Sequence, residues 1–283
     1  MEQLRKALLQ AKREREGIDG ENAQSVASRT EACADTSATA INLSDNRGDS
    51  RQSAPREVDI TYIETKVVEL NPDVLESNRV LSGKEPAEVM QAYKMLRTQV
   101  LQKLKFNQWN SLAIVSPREG NGKTLTAINL AISLAQEVKH SVLLVDLDLK
   151  DPSVADYMGI TLELGITDYL LRDEPIRNIL LNPGLERLVV LGGHENLSHS
   201  SEALGSPKLI NLVEELKQRY PNRIVIFDLP PLLLSDDAVA FSPYVDAMLM
   251  VVEEGQTTSD DLERCAEMLG DKPLLGSVLN KGG

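Results

Sequence analysis

Residues 112–136 set three features in a fixed order. An apolar run, Leu112–Val115, meets the turn Ser116-Pro117-Arg118-Glu119-Gly120-Asn121-Gly122-Lys123-Thr124, and a helical pattern follows from Leu125 to Gln136. A strand that feeds a helix through so short a turn commits the chain to a layered α/β arrangement, because the helix must pack back on the sheet. The turn also carries chemistry. Gly120 and Gly122 lack a Cβ, so the backbone can bend sharply and aim N–H groups at an anion. The helix adds its positive N-terminal end. Lys123 offers a mobile positive charge to terminal phosphates, and the Thr124 hydroxyl is a ligand for Mg²⁺. This is the context of a phosphate-binding loop, with one departure: Pro117 stands where the standard spacing has glycine.

The rest of the composition narrows the class. With 283 residues there is room for one large domain or two small ones. Hydrophobic content is 42% but aromatics are only 4%, so the core must be aliphatic, which suits a parallel sheet of Val, Ile and Leu strands. A net charge of -13 argues against nonspecific nucleic-acid binding. Cys33 and Cys265 lie far apart with no metal-type spacing, and His194 and His199 fall in a polar loop. The N-terminus has no apolar signal core, and no run approaches the ~18 apolar residues of a membrane span. A cytoplasmic chain is expected, with any membrane contact made through a partner.

Taken in order, residues 1–16 read as a short amphipathic helix with Leu4, Ala7, Leu8 and Ala11 on one stripe. Residues 17–56 lose hydrophobic periodicity and turn to Ser, Ala, Asp, Asn, Gly and Thr, the composition of a disordered linker. Residues 57–71 are rich in β-branched side chains and read as an extended connecting segment. The folded domain is expected over 72–283. Pro86–Leu104 is an amphipathic helix. Helix Lys123–Val138, strand Ser141–Asp146, strand Leu188–Leu191, a helix from Ser206 to Tyr220, strand Arg223–Asp228, strand Ala247–Val252, helix Ser259–Leu269 and strand Leu274–Leu279 follow, with short helical patterns over Pro152–Leu181. Such alternation means parallel strands joined by crossover helices.

Ligands of open α/β sheets bind at the carboxyl ends of strands. Three acids stand there. Val142-Leu-Leu-Val145 ends in Asp146-Leu147-Asp148, and residues two apart point the same way in an extended segment. Arg223-Ile-Val-Ile-Phe227 ends in Asp228, followed by Leu229-Pro230-Pro231, a Walker B pattern whose acid holds Mg²⁺ directly or through water. Three strand-end carboxylates and a phosphate loop in one chain support one another.

On these residues the chain resembles the bacterial tyrosine kinases of capsule and exopolysaccharide synthesis, within the deviant-Walker ATPase group that also holds the ParA and MinD ATPases. The resemblance rests on the loop Ser116–Thr124, the segment Val142–Pro152, the run Ile224–Pro231, Gly165–Leu170, Leu274–Asn280, and Gln91–Thr98 in the family's E-A-Y-R-x-L-R-T helix. It covers roughly residues 72–283 and is similar to the cytoplasmic autokinase type, whose membrane activator is a separate polypeptide. It implies a three-layer P-loop NTPase fold of the α/β class: a mostly parallel central sheet flanked by helices, preceded by a disordered N-terminal segment. It also implies ATP and Mg²⁺, homo-oligomers, protein tyrosine substrates, a membrane-embedded polysaccharide co-polymerase or chain-length determinant as activator, and recruitment to the inner face of the plasma membrane.

The loop residues Arg118, Glu119, Gly120, Asn121, Gly122, Lys123 and Thr124, with Leu125 after them, are then the nucleotide contacts, and Asn280 reads the adenine edge. Lys123 and the loop amides hold the β- and γ-phosphates. Thr124 and Asp148 set Mg²⁺ with Asp228 in its water shell, and Asp146 accepts the tyrosine proton. Some positions depart from the family. Arg118 replaces the ParA/MinD signature lysine, and Gln91 and Lys94 replace Glu and Arg of the oligomerisation helix; Lys cannot make a bidentate Arg contact. The family's C-terminal tyrosine cluster has no counterpart, and the six tyrosines (Tyr62, Tyr93, Tyr157, Tyr169, Tyr220, Tyr244) are dispersed. That predicts a departure from trans autophosphorylation of a tail, and keeps open a second reading as an ATPase switch or ATP-binding assembly regulator. A third is a nucleotide-binding adaptor tethered by residues 1–56.

Overall fold

The computed structural model describes residues 65–220 and 222–282. The helix expected over 1–16 and the linker over 17–56 lie outside the described residues. In chain order the elements are β1 (Lys66–Val67), α1 (Pro72–Ser77), α2 (Ala87–Asn107), β2 (Ser111–Val115), α3 (Lys123–Ala135), β3 (Ser141–Asp146), α4 (Val154–Met158), α5 (Ile166–Arg172), α6 (Ile176–Ile179) and β4 (Leu181–Asn182). There follow β5 (Leu188–Leu191), α7 (Ser200–Leu204), α8 (Pro207–Gln218), β6 (Arg223–Asp228), α9 (Asp237–Phe241), a 3-10 turn (Ser242–Tyr244), β7 (Ala247–Glu253), α10 (Ser259–Leu269) and β8 (Leu274–Asn280).

The strands form one sheet in the order β1-β4-β5-β3-β6-β2-β7-β8. All pairings are parallel except β4 with β5. This is the mostly parallel α/β sheet that the strand–helix alternation predicts. Period-two alternation divides each strand between two apolar layers. Leu112, Ile114, Val142, Leu144, Ile224 and Ile226 pack on one side with α2, α3 and α4. Ala113, Val115, Leu143, Val145, Val225 and Phe227 pack on the other with α5, α8, α9 and α10.

Helix ends follow local chemistry. Ser206 accepts a hydrogen bond from the Leu209 N–H ahead of Pro207, which starts α8. Thr258 and Asp261 form a capping box on α10. Helix α2 runs to Asn107, three residues past the expected Leu104, and stops where Gln108 takes a left-handed φ of 58°. Helix α3 stops at Ala135, short of the expected Val138, because Glu137 and His140 enter tight turns. The sheet register fixes the site. Asp146 at the end of β3 lies opposite Asp228 at the end of β6, and β6 neighbours β2, from which the glycine turn emerges.

Candidate active site

The turn after β2 is held from both sides. The carbonyls of Ser116 and Pro117 accept from the N–H groups of Leu232 (2.8 Å) and Leu233 (3.2 Å), in the segment that follows Asp228. Pro117 therefore fits the position usually held by glycine: its carbonyl is used, and its missing N–H is not needed there. Asn121 Oδ1 accepts from the Arg118 N–H at 3.0 Å, closing the turn on itself. Gly120 and Gly122 have φ of 75° and 87°, a conformation that disfavours any Cβ. At Gly122 a Cβ would also stand 2.1 Å from Asn280 Nδ2. Gly122 caps α3 with no side-chain hydrogen bond, so the first-turn N–H groups remain available to an anion.

Lys123 and Thr124, the first residues of α3, meet the strand-end carboxylates. Lys123 Nζ lies 2.8 Å from Asp148 Oδ2 and 3.5 Å from Asp228 Oδ2. The Thr124 hydroxyl donates to Asp228 Oδ2 at 2.6 Å. Asp146 takes no direct part in that cluster. Its Oδ2 accepts from the N–H groups of Ser153 and Val154 (both 3.0 Å), and its Oδ1 accepts from the Asp148 N–H at 3.2 Å. The strand-end pattern therefore brings Asp148 and Asp228 onto Lys123, while Asp146 stands beside them, oriented by backbone donors.

Electrostatics separate their roles. Asp146 is fully buried. Burial pushes its carboxyl up to about 8, reinforced by Asp228 beside it and only partly offset by Val154 N–H and Lys123. Burial likewise raises Asp228, against the pull of Lys123 and Thr124. For Lys123 burial opposes the charge, but Asp228 and Asp148 outweigh it and hold the ammonium above its ordinary value.

A divalent cation suits this donor set. One oxygen of Asp228, Oδ1, is buried without a hydrogen-bond partner, and Thr124 and Asp148 offer further hard oxygens beside it. A hydroxyl and carboxylates are the ligands Mg²⁺ takes together with water and phosphate oxygens. Among the described residues no group of three or more His, Cys, Asp or Glu side chains forms an all-protein metal cage.

The other expected contacts fall as follows. Glu119 and Gly120 are exposed, Asn121 is buried and Leu125 is partly buried. Arg118 gives its guanidinium to Asp261, with Nη2–Oδ1 at 2.7 Å and Nε–Oδ2 at 3.2 Å. Asn280 turns its amide onto the loop, donating to the Asn121 carbonyl at 2.9 Å. It also lines a groove of about 760 Å³ with Gly122, Leu125, Arg79 and Lys84, beside the loop. His194 is engaged with Asp168 at 3.0 Å, and Cys265 is a buried core thiol pushed up to about 12 by burial.

Sequence reasoning missed three groups. Ser153 supplies an N–H to Asp146 and sets its hydroxyl 3.3 Å from Thr124 Oγ1. Its only local sign was its place after Pro152, where a helix cap is expected. Glu253 and Lys281 brace the loop: Lys281 Nζ donates to the Gly120 carbonyl (3.1 Å) and to Glu253 (3.0 Å), while Glu253 also accepts from Asn121 at 3.2 Å. The end of β7 and the residue after β8 carry no sequence signal for such a role.

Comparison with known proteins places this geometry. A family model described as an AAA domain matches residues 110–266. The chain is 30% identical to the tyrosine-protein kinase YwqD of Bacillus subtilis (strain 168) over 204 residues, 71% of this chain and 85% of that protein. The chain belongs to the bacterial tyrosine kinase family. It is also 32% identical over 176 residues to the succinoglycan biosynthesis transport protein ExoP of Rhizobium meliloti (strain 1021), covering 60% of this chain and 22% of ExoP. The crystal structure of the chimerical protein CapA2B2 superposes with a TM-score of 0.64 at 25% identity, over 77% of this chain and 93% of that one. Membership of the bacterial tyrosine kinase family agrees with the P-loop NTPase-like sheet and with the loop and strand-end acids that led to it.

Proposed function

We propose that this chain transfers the γ-phosphoryl group of Mg·ATP to a tyrosine hydroxyl of a protein, and that it serves exopolysaccharide or capsule assembly as a homo-oligomer with a membrane-embedded co-polymerase as activator. The observation that supports this best is Asp146. It is fully buried, fixed by two backbone N–H groups on one oxygen, and pushed up to about 8. A carboxylate tuned near working pH is what proton abstraction from a phenol asks for.

The remaining parts follow from what each residue can do. The N–H groups of the loop and the first turn of α3 bind phosphate oxygens. Lys123, held at Asp148 and Asp228, has its ammonium at the mouth of that helix and can exchange one carboxylate for phosphate. Thr124, Asp148 and Asp228 hold Mg²⁺, whose chemistry when bound is to neutralise charge on the phosphates. Asp146 accepts the phenolic proton. Arg118, Gly120, Asn121 and Gly122 shape the loop, and Asn280, seated beside the groove, contacts the nucleoside. No helix among the described residues is long and apolar enough to cross a membrane; membrane recruitment through the co-polymerase is part of this reading.

The test is phosphotyrosine formation by the purified chain with Mg·ATP and a glutamate–tyrosine copolymer, read by mass spectrometry beside Lys123→Met. Phosphotyrosine with the native chain and none with the variant is expected. Inorganic phosphate release with no phosphotyrosine would replace the kinase reading by that of an ATPase switch.

A further inference from the structure

The groove of about 760 Å³ beside the phosphate loop has two walls. One is the nucleotide machinery described above, with Gly120, Gly122, Leu125 and Asn280. The other belongs to no phosphate-loop pattern. It is the turn that leads from α1 into α2, and it brings Arg79 and Lys84 to the groove. Among the described residues, neither of these side chains has a hydrogen bond or an ion pair. Two acids share the groove. Glu85 gives its carboxylate to the N–H groups of Ser82 (2.5 Å) and Gly83 (2.9 Å), and Glu76 forms no ion pair with either cation.

The backbone at Arg79 is unusual. The residue stands just past the end of α1 with a φ of 59°. Its N–H donates to the Glu76 carbonyl at 3.1 Å, and the Val80 N–H donates to the Leu75 carbonyl at 2.8 Å, closing the helix. Glycine is the usual residue at such a position, and any other carries strain there. Here the surroundings hold it. Asn129 of α3 is buried; its Nδ2 donates to the Arg79 carbonyl at 3.1 Å, and its Oδ1 accepts from the Leu81 N–H at 2.9 Å. Val80 and Leu81 are buried, and Asn78 donates to the Tyr157 carbonyl at 3.0 Å. Helix α3 also begins with Lys123 and Thr124. One helix therefore fixes both the phosphate loop and the Arg79 backbone. Strained residues held this firmly gather at ligand sites.

The chemistry of the ligand narrows the role. Loop N–H groups and Lys123 already serve the phosphates of ATP. The part that extends past Gly122 toward Asn280 is the nucleoside, and its flat surface is the base. A guanidinium is planar, weakly hydrated and stacks on aromatic faces; the Lys84 ammonium offers charge but no plane. Leu125 and Val89 line the same groove and suit an aromatic ring.

We propose that Arg79 is a base-binding residue: its guanidinium lies against one face of the purine while Asn280 addresses the edge. The inference rests on the nucleotide-binding part of the reading above and deepens it by a residue outside the loop. It also accounts for an arginine where the backbone favours glycine.

The test is calorimetric titration of the full chain with Mg·ATP and with Mg·tripolyphosphate, which carries phosphates but no base. Arg79→Gly removes the side chain and suits the left-handed backbone. Arg79→Asn, also at ease in that conformation, repeats the measurement. Both should unfold at or near the native Tm. The expected result is an affinity for Mg·ATP about tenfold lower in each, with the affinity for Mg·tripolyphosphate as in the native chain. Arg79→Lys should recover only part of the loss. An unchanged affinity for Mg·ATP in either variant overturns the inference. So does an equal loss on both ligands, which assigns Arg79 to the phosphates, or full recovery by lysine, which leaves charge without stacking. If the native chain binds neither ligand, the nucleotide reading falls as well.

Discussion

Replacing Gly122 by alanine probes the packing of the phosphate loop against β8. The added methyl would stand 2.1 Å from Asn280 Nδ2, and the backbone at this position has a φ of 87°. Two costs arise. A Cβ in the left-handed region costs about 1–2 kcal/mol. Asn280 must also swing aside, which breaks its 2.9 Å hydrogen bond to the Asn121 carbonyl, a loss of about 1 kcal/mol. Reduced freedom of the unfolded chain returns about 0.4–1 kcal/mol. The net is a destabilisation of about 2 kcal/mol, or a fall in Tm of roughly 4–8 °C for a domain of this size. The second cost vanishes if Asn280 has already been cut back. In an Asn280→Ala background the same glycine replacement should therefore cost about 1 kcal/mol less, a coupling visible in a double-mutant cycle. Thermal unfolding of the two single variants and the double variant, without nucleotide, measures it. Strictly additive losses would falsify the contact between the loop and Asn280, whatever their size.

Other expectations follow from the same site. Lys123→Met leaves Asp148 and Asp228 buried beside each other without their cation, so it should cost about 3 kcal/mol in stability as well as abolish nucleotide binding; calorimetry and fluorescent-nucleotide titration read the two. Asp146 has a folded pKa raised from 3.8 to about 8, so the native state holds the proton more tightly than the unfolded chain. Its favourable contribution is fully present below about pH 4 and is lost as pH rises toward 8. Nucleotide-free Asp146→Asn should therefore show a flatter fall in Tm between pH 5 and 8 than the native chain, while losing phosphoryl transfer. Asp261 is held at about 2, chiefly by Arg118. Its contribution is present above about pH 4 and is lost as pH falls through 2, so Asp261→Asn should blunt the acid limb of the unfolding profile. Asp148→Ala should weaken Mg²⁺-dependent nucleotide binding, whereas Asp146→Ala keeps it; equal loss in titrations of both would refute the division of roles.

Much of the site was legible because its signals are local. An apolar run broken by an aspartate marks a strand end, and β3 and β6 end at Asp146 and Asp228 as their sequences predict. The glycines of the turn and the Ser206-Pro207 start of α8 could be read in the same way, since each concerns neighbours within a few residues. Legibility fails where contacts join distant segments. Arg118 meets Asp261 across 143 residues and Asn280 meets Asn121 across 159. Neither pairing leaves a trace in spacing, and Asp261 read locally is only the N3 half of a helix cap. The two-residue strands β1 and β4 are too short for alternation to register. The antiparallel pairing of β4 with β5 follows from the short connection over residues 183–187, too short for a crossover.

The phosphate loop is tied down at both flanks and from outside: by Leu232 and Leu233, by Asn280, by Lys281 with Glu253, and by Asp261 through Arg118. A loop fastened at so many points before its ligand arrives has little disorder left to lose. Association with nucleotide should then behave as docking to a finished cradle, with a small ordering entropy and an affinity set by how readily phosphate displaces carboxylate from the Lys123 ammonium.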